Sequence, residues 1–309
     1  MPLCQVNIAG DRLAAPEAAR EVLAAALRGQ PPEAPVVVLL HGYKFSPSVA
    51  AHDPHTHILS LDPRPCRRAV SWPRRLGLGQ PGGPEPLCLA VGWEARGTLW
   101  QAYGRAAAAG AGLAELVGLV RALRPGTSVQ ALAHSLGARV VLSALPHLEP
   151  GTMGRAVLLA AAEMRNRAAR ALDTPAGRAL EVLNVASREN ELYDALLEWM
   201  IAPHVWGDRA LGRGFGRRAG PRRLDLRIDD AGHRAALAGL GFAIPGADRR
   251  FCHWSVYLRP GLFELYRAIL AGAVRLEGLA GALPPPATER SRLLQRPGAP
   301  LPLPRERAS

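Results

Sequence analysis

The chain has 309 residues, of which 48% are hydrophobic, and this is enough for one large domain with a substantial apolar core. Its formal net charge is +12, and Lys44 is the only lysine among the 38 basic residues. The arginines occur singly or in pairs, and no long basic run is interleaved with aromatic residues. The sequence therefore does not favour a protein that binds nucleic acid.

The four cysteines are far apart, which excludes a CxxC zinc or redox motif. No run of about eighteen apolar residues is present, as a transmembrane helix would need. The N-terminus lacks the basic and apolar segments of a secretory signal. We therefore expect a protein with no transmembrane segment, located in the cytoplasm.

The first predicted elements are a helix over residues 15–27 and a strand over residues 35–40. The strand is apolar throughout, which is typical of a parallel strand buried on both faces. It ends in His41-Gly42-Tyr43, where the glycine allows a sharp turn of the backbone. We expect the His41 side chain to pack as a structural group.

Residues 45–86 form a long segment rich in Pro and Arg. It contains three closely spaced histidines, His52, His55 and His57. Such a cluster can ligate a metal, but a loop on the substrate side of the sheet is the preferred interpretation, because long loops often carry functional residues. We predict no metal and no cofactor.

The middle of the chain alternates between strands, predicted at 87–91 and 129–132, and helices, predicted at 99–123 and 138–145. Such alternation favours a parallel sheet with helices on both faces. The pentapeptide Ala133-His134-Ser135-Leu136-Gly137 joins the second strand to the second helix. Small residues two places before and after a serine, in a strand–turn–helix context, are typical of a nucleophile elbow.

The His-Gly loop and the serine elbow together resemble motifs of the α/β-hydrolase superfamily, specifically its esterase- and lipase-like bacterial members of unassigned substrate. The resemblance covers residues 30–275 and implies an α/β-hydrolase fold with a mostly parallel central sheet and helices on both faces. It also implies that the N–H groups of Tyr43 and Leu136 form an oxyanion hole, with Lys44 as the alternative to Tyr43. We expect one domain over residues 1–283, with loop insertions at about 45–86 and 202–249.

In this superfamily the catalytic acid follows the serine and stands just past a strand. Residues 183–187 are predicted to form that strand, and Asn190-Glu191-Leu192 follows it. Glu191 is therefore the predicted acid. Three other carboxylates remain open as alternatives: Glu189, Asp194 and Glu163.

The catalytic histidine comes last in this chain order. His147 is too close to the elbow, and His204 and His233 lie in an irregular segment rich in Gly and Arg. His253 has aromatic neighbours and precedes an amphipathic helix predicted over 262–270, so it is the predicted base. The Pro-rich tail, residues 284–309, is predicted to be disordered.

These roles imply a serine hydrolase that cleaves a carboxylic ester, or a related acyl bond, of a small-molecule acyl substrate. His253 would take the proton of Ser135, and Glu191 would orient the imidazole. A serine acyltransferase remains an alternative, because an alcohol or amine can replace water. A non-catalytic binding module with the same fold is the other alternative.

Overall fold

The computed structural model describes residues 3–66, 69–78, 86–202 and 207–285. The strands of its single sheet are β1 (Leu3–Ala9), β2 (Arg12–Leu13), β3 (Val36–Leu40), β4 (Leu87–Trp93), β5 (Val129–His134), β6 (Met153–Leu159), β7 (Glu181–Ala186) and β8 (Arg223–Arg227). Their order across the sheet is β2-β1-β4-β3-β5-β6-β7-β8. The short β2 pairs antiparallel with β1, and every other neighbouring pair is parallel.

Helices connect the strands and cover the sheet. They are α1 (Pro16–Arg28), α2 (Trp72–Arg75), α3 (Leu99–Leu123), α4 (Leu136–Ala144), α5 (Arg165–Leu172), α6 (Pro175–Ala179), α7 (Glu191–Ile201), α8 (Ala231–Gly239), α9 (Ser255–Leu258), α10 (Leu262–Leu270) and α11 (Leu276–Ala282). Short 3-10 turns occur in several of the connections. The chain thus has an α/β architecture with a mostly parallel sheet, as the alternation of predicted strands and helices indicated.

The central strand β3 shows why the sheet is buried on both faces. Val36, Val38 and Leu40 pack into a core with α1, α3 and α4. Val37 and Leu39 point the other way, into a second core with α10, α11 and part of the segment between β3 and β4. Side chains alternate across a strand, so an unbroken apolar run supplies both layers.

Helix α3 begins with a capping box, in which the Thr98 hydroxyl accepts from the Gln101 N–H and the Gln101 side chain accepts from the Thr98 N–H. It lies close against α4, since a Cβ on Gly110 would be 2.6 Å from the Ser143 Cβ. By length and composition this helix could also span a membrane, but half of its apolar window is buried inside the domain. It is therefore a helix of the domain core.

The strand order reverses direction at β3. The chain passes from β3 to β4 on one side and then returns to β5 on the other side of β3. In open parallel sheets, ligands bind at such a reversal, outside the carboxyl ends of the strands. The loop after β3 and the turn after β5 therefore lie together at this edge.

Two predicted segments differ from the expectation. Of the described part of residues 45–86, only Phe45 lines the candidate cavity, while Ile58, Leu59 and Trp72 are buried against the sheet. The segment 202–249 is more than a loop, because it supplies strand β8 and helix α8. The predicted tail lies outside the described residues from position 286 onward.

Candidate active site

Ser135 stands at the turn between β5 and α4 with φ 56° and ψ −121°. A non-glycine residue in such a conformation stores strain of roughly 1–3 kcal/mol. The Ser135 N–H donates to the Leu159 carbonyl over 2.9 Å, and its carbonyl accepts from the Ala162 N–H over 3.1 Å. Gly137 lets α4 approach β3, since a Cβ there would be 2.6 Å from the His41 carbonyl oxygen. The flanking backbone thus holds the strained turn in place.

The loop after β3 passes directly beside this serine. A Cβ on Gly42 would lie 2.7 Å from the Ser135 Cβ. The Lys44 N–H donates to the Ala95 carbonyl over 2.9 Å. Within the described part of the chain, no acceptor takes the Tyr43 N–H. Tyr43, rather than Lys44, therefore has an N–H available to a ligand beside the serine.

Leu136, the other predicted donor, is the first residue of α4. The N–H groups in the first turn of a helix have no intrahelical acceptor. The positive end of the helix dipole also favours negative charge at this position. Tyr43 and Leu136 line the same cavity as Ser135.

His253 lies in the loop between α8 and α9. Its Nδ1–H donates to the Asn190 Oδ1 over 2.6 Å. The Tyr193 ring stacks on the imidazole at a centroid distance of 4.8 Å and an interplanar angle of 26°. Burial, together with the neighbouring His134, lowers the pKa of His253 well below its usual value. The ring is therefore neutral near pH 7, which is the form that accepts a proton.

Ser135 and His253 line the same cavity. In the part of the chain that the structure describes, no hydrogen bond joins the Ser135 hydroxyl to the His253 ring. Hydrogen bonds between catalytic groups are often long before substrate binds and shorten in the complex. The structure therefore brings the two predicted groups into one cavity.

The residue that faces His253 is Asn190 and not the predicted acid Glu191. Residues Arg188–Asn190 form a 3-10 turn after β7, and Glu191 is the first residue of α7. Successive side chains of such a turn point in different directions, so Asn190 is buried toward His253 while the Glu191 carboxylate lies 3.6 Å from the Arg188 Nε. In the structure the partner of the His253 Nδ1 is thus Asn190, and the predicted acid Glu191 does not occupy that position.

Two of the alternative acids have structural partners elsewhere. Glu189 is fully buried and forms an ion pair with Arg259. Glu163 is also buried, where it forms an ion pair with Arg139 and accepts from the Tyr103 hydroxyl. Neither carboxylate faces the His253 ring.

The third alternative, Asp194, lies one helical turn beyond Asn190. Its Oδ1 accepts from the Asn190 Nδ2 over 2.8 Å. Burial is the largest cause that raises the pKa of Asp194, to about 7. Asp194 therefore contacts the residue that holds His253 and does not contact His253 itself.

His134 is a site residue that the sequence analysis did not identify. Its Nε2–H donates to the His253 backbone carbonyl over 3.1 Å, and the two ring centroids are 4.5 Å apart. Burial lowers the pKa of His134 to about 4, so its ring is neutral. The expected chain order of the triad drew attention only to histidines that follow Ser135. His134 and His253 are 119 positions apart, and no sequence motif connects residues at that separation.

The cavity above these groups has a volume of about 670 Å³. Its wall is mostly apolar and includes Leu99, Trp100, Leu196, Leu197, Met200 and Trp254. The Trp100 Nε1–H donates to the Met200 carbonyl over 2.8 Å, which links the start of α3 to the end of α7. A largely apolar cavity with a few polar groups at one end is typical of a small-molecule site.

His41 is buried and both of its ring nitrogens have partners. Its Nδ1–H donates to the Gly42 carbonyl over 2.9 Å, and its Nε2 accepts from the Trp93 N–H over 3.1 Å. Burial lowers the pKa of His41 to about 3. This neutral histidine has the structural role expected of it.

The clustered histidines of the segment after β3 also have other partners. The His55 Nε2 lies 2.8 Å from the Asn7 Oδ1, and the His57 Nε2 lies 3.4 Å from the Cys66 Sγ. Among the described residues, no group of three His, Cys, Asp or Glu side chains has the arrangement of a metal site. His204 lies outside the described residues.

Comparison of the chain with models of known protein families found no match. No curated protein sequence is significantly similar to it. Any functional assignment therefore depends on the geometry of the site.

Proposed function

We propose that this protein is a serine hydrolase that cleaves a carboxylic ester through an acyl-serine intermediate. The observation that carries the proposal is the strained Ser135 turn with the Gly42 backbone packed against it. Backbone strain is retained where the surrounding structure enforces it, and it is concentrated at functional sites. We assign the chain to the α/β-hydrolase superfamily on the same grounds.

In the proposed reaction, the Ser135 Oγ attacks the ester carbonyl carbon while its proton passes to the His253 Nε2. The Tyr43 and Leu136 N–H groups stabilise the negative charge on the carbonyl oxygen, and each such donor typically lowers the barrier by about 3–4 kcal/mol. The C–O bond to the leaving alcohol then breaks, and the alcohol takes the proton from His253. Water attacks the acyl-serine by the reverse proton route.

The lining of the cavity favours substrates with an apolar acyl group. This lining is mostly aliphatic and aromatic, Lys44 and Asp194 are its basic and acidic residues, and its other polar groups include Thr98, His134, Asn190 and His253. A volume of about 670 Å³ is within the usual range for sites of small molecules. We propose esters of uncharged, small to medium acyl groups. We propose the cytoplasm as the compartment, because the widely spaced cysteines do not indicate a disulfide framework.

The test is covalent labelling with a fluorophosphonate probe, which reacts only with an activated serine. We expect the wild-type protein to be labelled, and the Ser135→Ala and His253→Ala variants to remain unlabelled. A protein that labels would then be screened with short p-nitrophenyl esters. A folded wild-type protein that does not label would exclude the hydrolase and the acyltransferase, and would favour a non-catalytic binding module.

A further inference from the structure

A buried carboxylate lies behind the Asn190–His253 hydrogen bond, and the proton transfer described above does not use it. Asp194 is 3% exposed and receives the Asn190 Nδ2–H over 2.8 Å, while Asn190 Oδ1 receives the His253 Nδ1–H over 2.6 Å. Gly212 leaves room for this carboxylate, because a Cβ there would overlap the Asp194 Oδ1. His253, Asn190 and Asp194 thus form one continuous chain of hydrogen bonds.

This chain of hydrogen bonds determines how the Asn190 amide is oriented. An amide group has two ends of similar shape, of which the oxygen accepts hydrogen bonds and the NH₂ group donates them. Asn190 taken alone could present either its oxygen or its NH₂ group to His253. An ionised carboxylate only accepts, so Asp194 requires the NH₂ group on its own side and leaves the oxygen for His253. The oxygen in turn requires the hydrogen on Nδ1, and this leaves the Nε2 lone pair free for the Ser135 proton.

We propose that Asp194 is a positioning residue, which acts through Asn190 to set the tautomer of His253. The proposal rests on the serine hydrolase function for its catalytic consequence, but not for its structural one. During acylation the Ser135 proton moves to Nε2 and then to the leaving alcohol. The Nδ1 hydrogen stays on His253, and the amide hydrogens stay on Asn190.

The charges around Asp194 fix how this arrangement responds to pH. Arg213, from the turn before β8, lowers the pKa of Asp194, while Glu198 and Glu191 on its own helix raise it. Burial has the largest effect, and the resulting pKa is about 7. A raised carboxylate pKa means that the ionised form, which locks the amide, is gained as pH rises through about 7. His253 is already neutral in this range because burial lowers its pKa.

The protein contains a second buried aspartate, Asp225, that serves as a matched control for Asp194. Asp225 is also a largely buried carboxylate with a pKa raised by burial, and it receives the Asn184 Nδ2–H over 2.8 Å, the same distance as in the proposed chain. Asp225 also accepts from the Phe215 N–H and lies in β8, away from the cavity. Asp225→Asn therefore makes the same chemical change where no effect on His253 is expected.

The first experiment measures the tautomer of His253 directly, from ¹⁵N chemical shifts of histidine-labelled protein, with His253→Gln used for assignment. We expect the Nδ1–H tautomer in the wild type and in Asp225→Asn, and a mixture of tautomers in Asp194→Asn. An unchanged tautomer in Asp194→Asn would overturn the proposal. This readout does not depend on catalysis, so it remains decisive even if the wild type is never labelled and the proposed function fails.

The second experiment measures the rate of fluorophosphonate labelling. Asp194→Asn is expected to be slower by about 10- to 100-fold, less than the loss of about 10⁴ when the tautomer is wrong in every molecule. With ester substrates the loss is expected in kcat and not in KM. The wild-type rate is expected to rise through about pH 7, and Asp194→Asn is expected to lack this rise.

An exchange of the two side chains distinguishes positioning from a general effect of buried charge. The double variant Asn190→Asp with Asp194→Asn places the carboxylate directly on His253, where it accepts from Nδ1 without help. We expect this double variant to recover most of the wild-type labelling rate. Equal losses in the single and double variants, with both folded, would show that Asp194 supports the structure and does not position His253.

Discussion

The serine turn and the end of β7 are two halves of one candidate site, but they are built in different ways. The turn around Ser135 consists of consecutive residues, and its shape follows from backbone contacts such as the one between Gly137 and His41. The end of β7 brings Asn190 and Asp194 to His253, which comes from a loop more than fifty residues farther along the chain. The first half is a local structure, and the second depends on long-range side-chain contacts.

The difference shows that residue type alone does not assign a role to a carboxylate. Glu163 and Glu189 are buried at the carboxyl ends of strands, where a catalytic acid is expected, yet each forms an ion pair with an arginine. Glu189 also stabilises the loop between α8 and α9 that carries His253, called here the histidine loop, because the Glu189 backbone carbonyl accepts the Cys252 N–H over 2.8 Å. Buried charges near a site also form structural ion pairs, so burial alone does not identify a catalytic group.

The largest effect is expected from breaking the anchor of the histidine loop. Glu189→Gln removes the charge that compensates the buried Arg259. Loss of one partner of a buried ion pair typically costs about 3–5 kcal/mol, so the free energy of unfolding in urea should fall by that amount. Asp62→Asn is the control, because Asp62 pairs with Arg74 on the surface, and its midpoint should barely change. Equal midpoints for Glu189→Gln and wild type would contradict this role.

The second prediction concerns the turn around Ser135 and the loop after β3 that packs against it. Gly42→Ala adds a Cβ that would lie 2.7 Å from the Ser135 Cβ and 3.1 Å from the His134 carbonyl oxygen, which pushes the loop and the Tyr43 N–H away. Loss of one oxyanion donor typically slows the reaction by about 10²–10³-fold, and we expect a loss of that order in the labelling rate.

Gly118→Ala is the control for this change. Gly118 lies in α3 with nothing within 4 Å of an added Cβ. Alanine in a helix interior is typically more stable than glycine by about 0.5–1 kcal/mol, so this variant should unfold at a slightly higher temperature and label normally. Normal labelling of Gly42→Ala would remove the argument that the loop after β3 forms half of an oxyanion hole.

The smallest effect is expected from a substitution that disturbs the contact between Asp194 and Asn190 but leaves both residues in place. Gly212→Ala places a Cβ against the Asp194 Oδ1 and should displace the carboxylate from Asn190. Because Asp194 remains present, we expect a loss of about tenfold in labelling rate, at the lower limit for a residue that supports a site indirectly. The His253 tautomer should shift as in Asp194→Asn. A tenfold loss with an unchanged tautomer would indicate a different cause, such as a distorted cavity wall.

Much of the fold was predictable because it follows from local sequence patterns, such as apolar runs and helical periodicity. The helices at 99–123 and 262–270 are confirmed at both ends, and the apolar runs that became β3 and β4 are buried as expected. Strand β1 was not predicted, although its alternating buried and exposed residues and the turn at Gly10 that follows it are both typical of a strand. Strand β8 was anticipated only as part of an insertion, since its residues are half-exposed and rich in arginine.

The sequence by itself determined the α/β architecture and the position of the serine turn. Each depends on residues that are adjacent in the chain, where periodicity and small side chains act through local sterics. Only the tertiary structure decided that Asn190 faces His253 in place of Glu191, that Asp194 lies behind it, and that His134 supports the histidine loop. Neighbouring polar residues differ in role through the direction of a turn and the partners that distant segments supply, and neither is encoded in the spacing of the residues themselves.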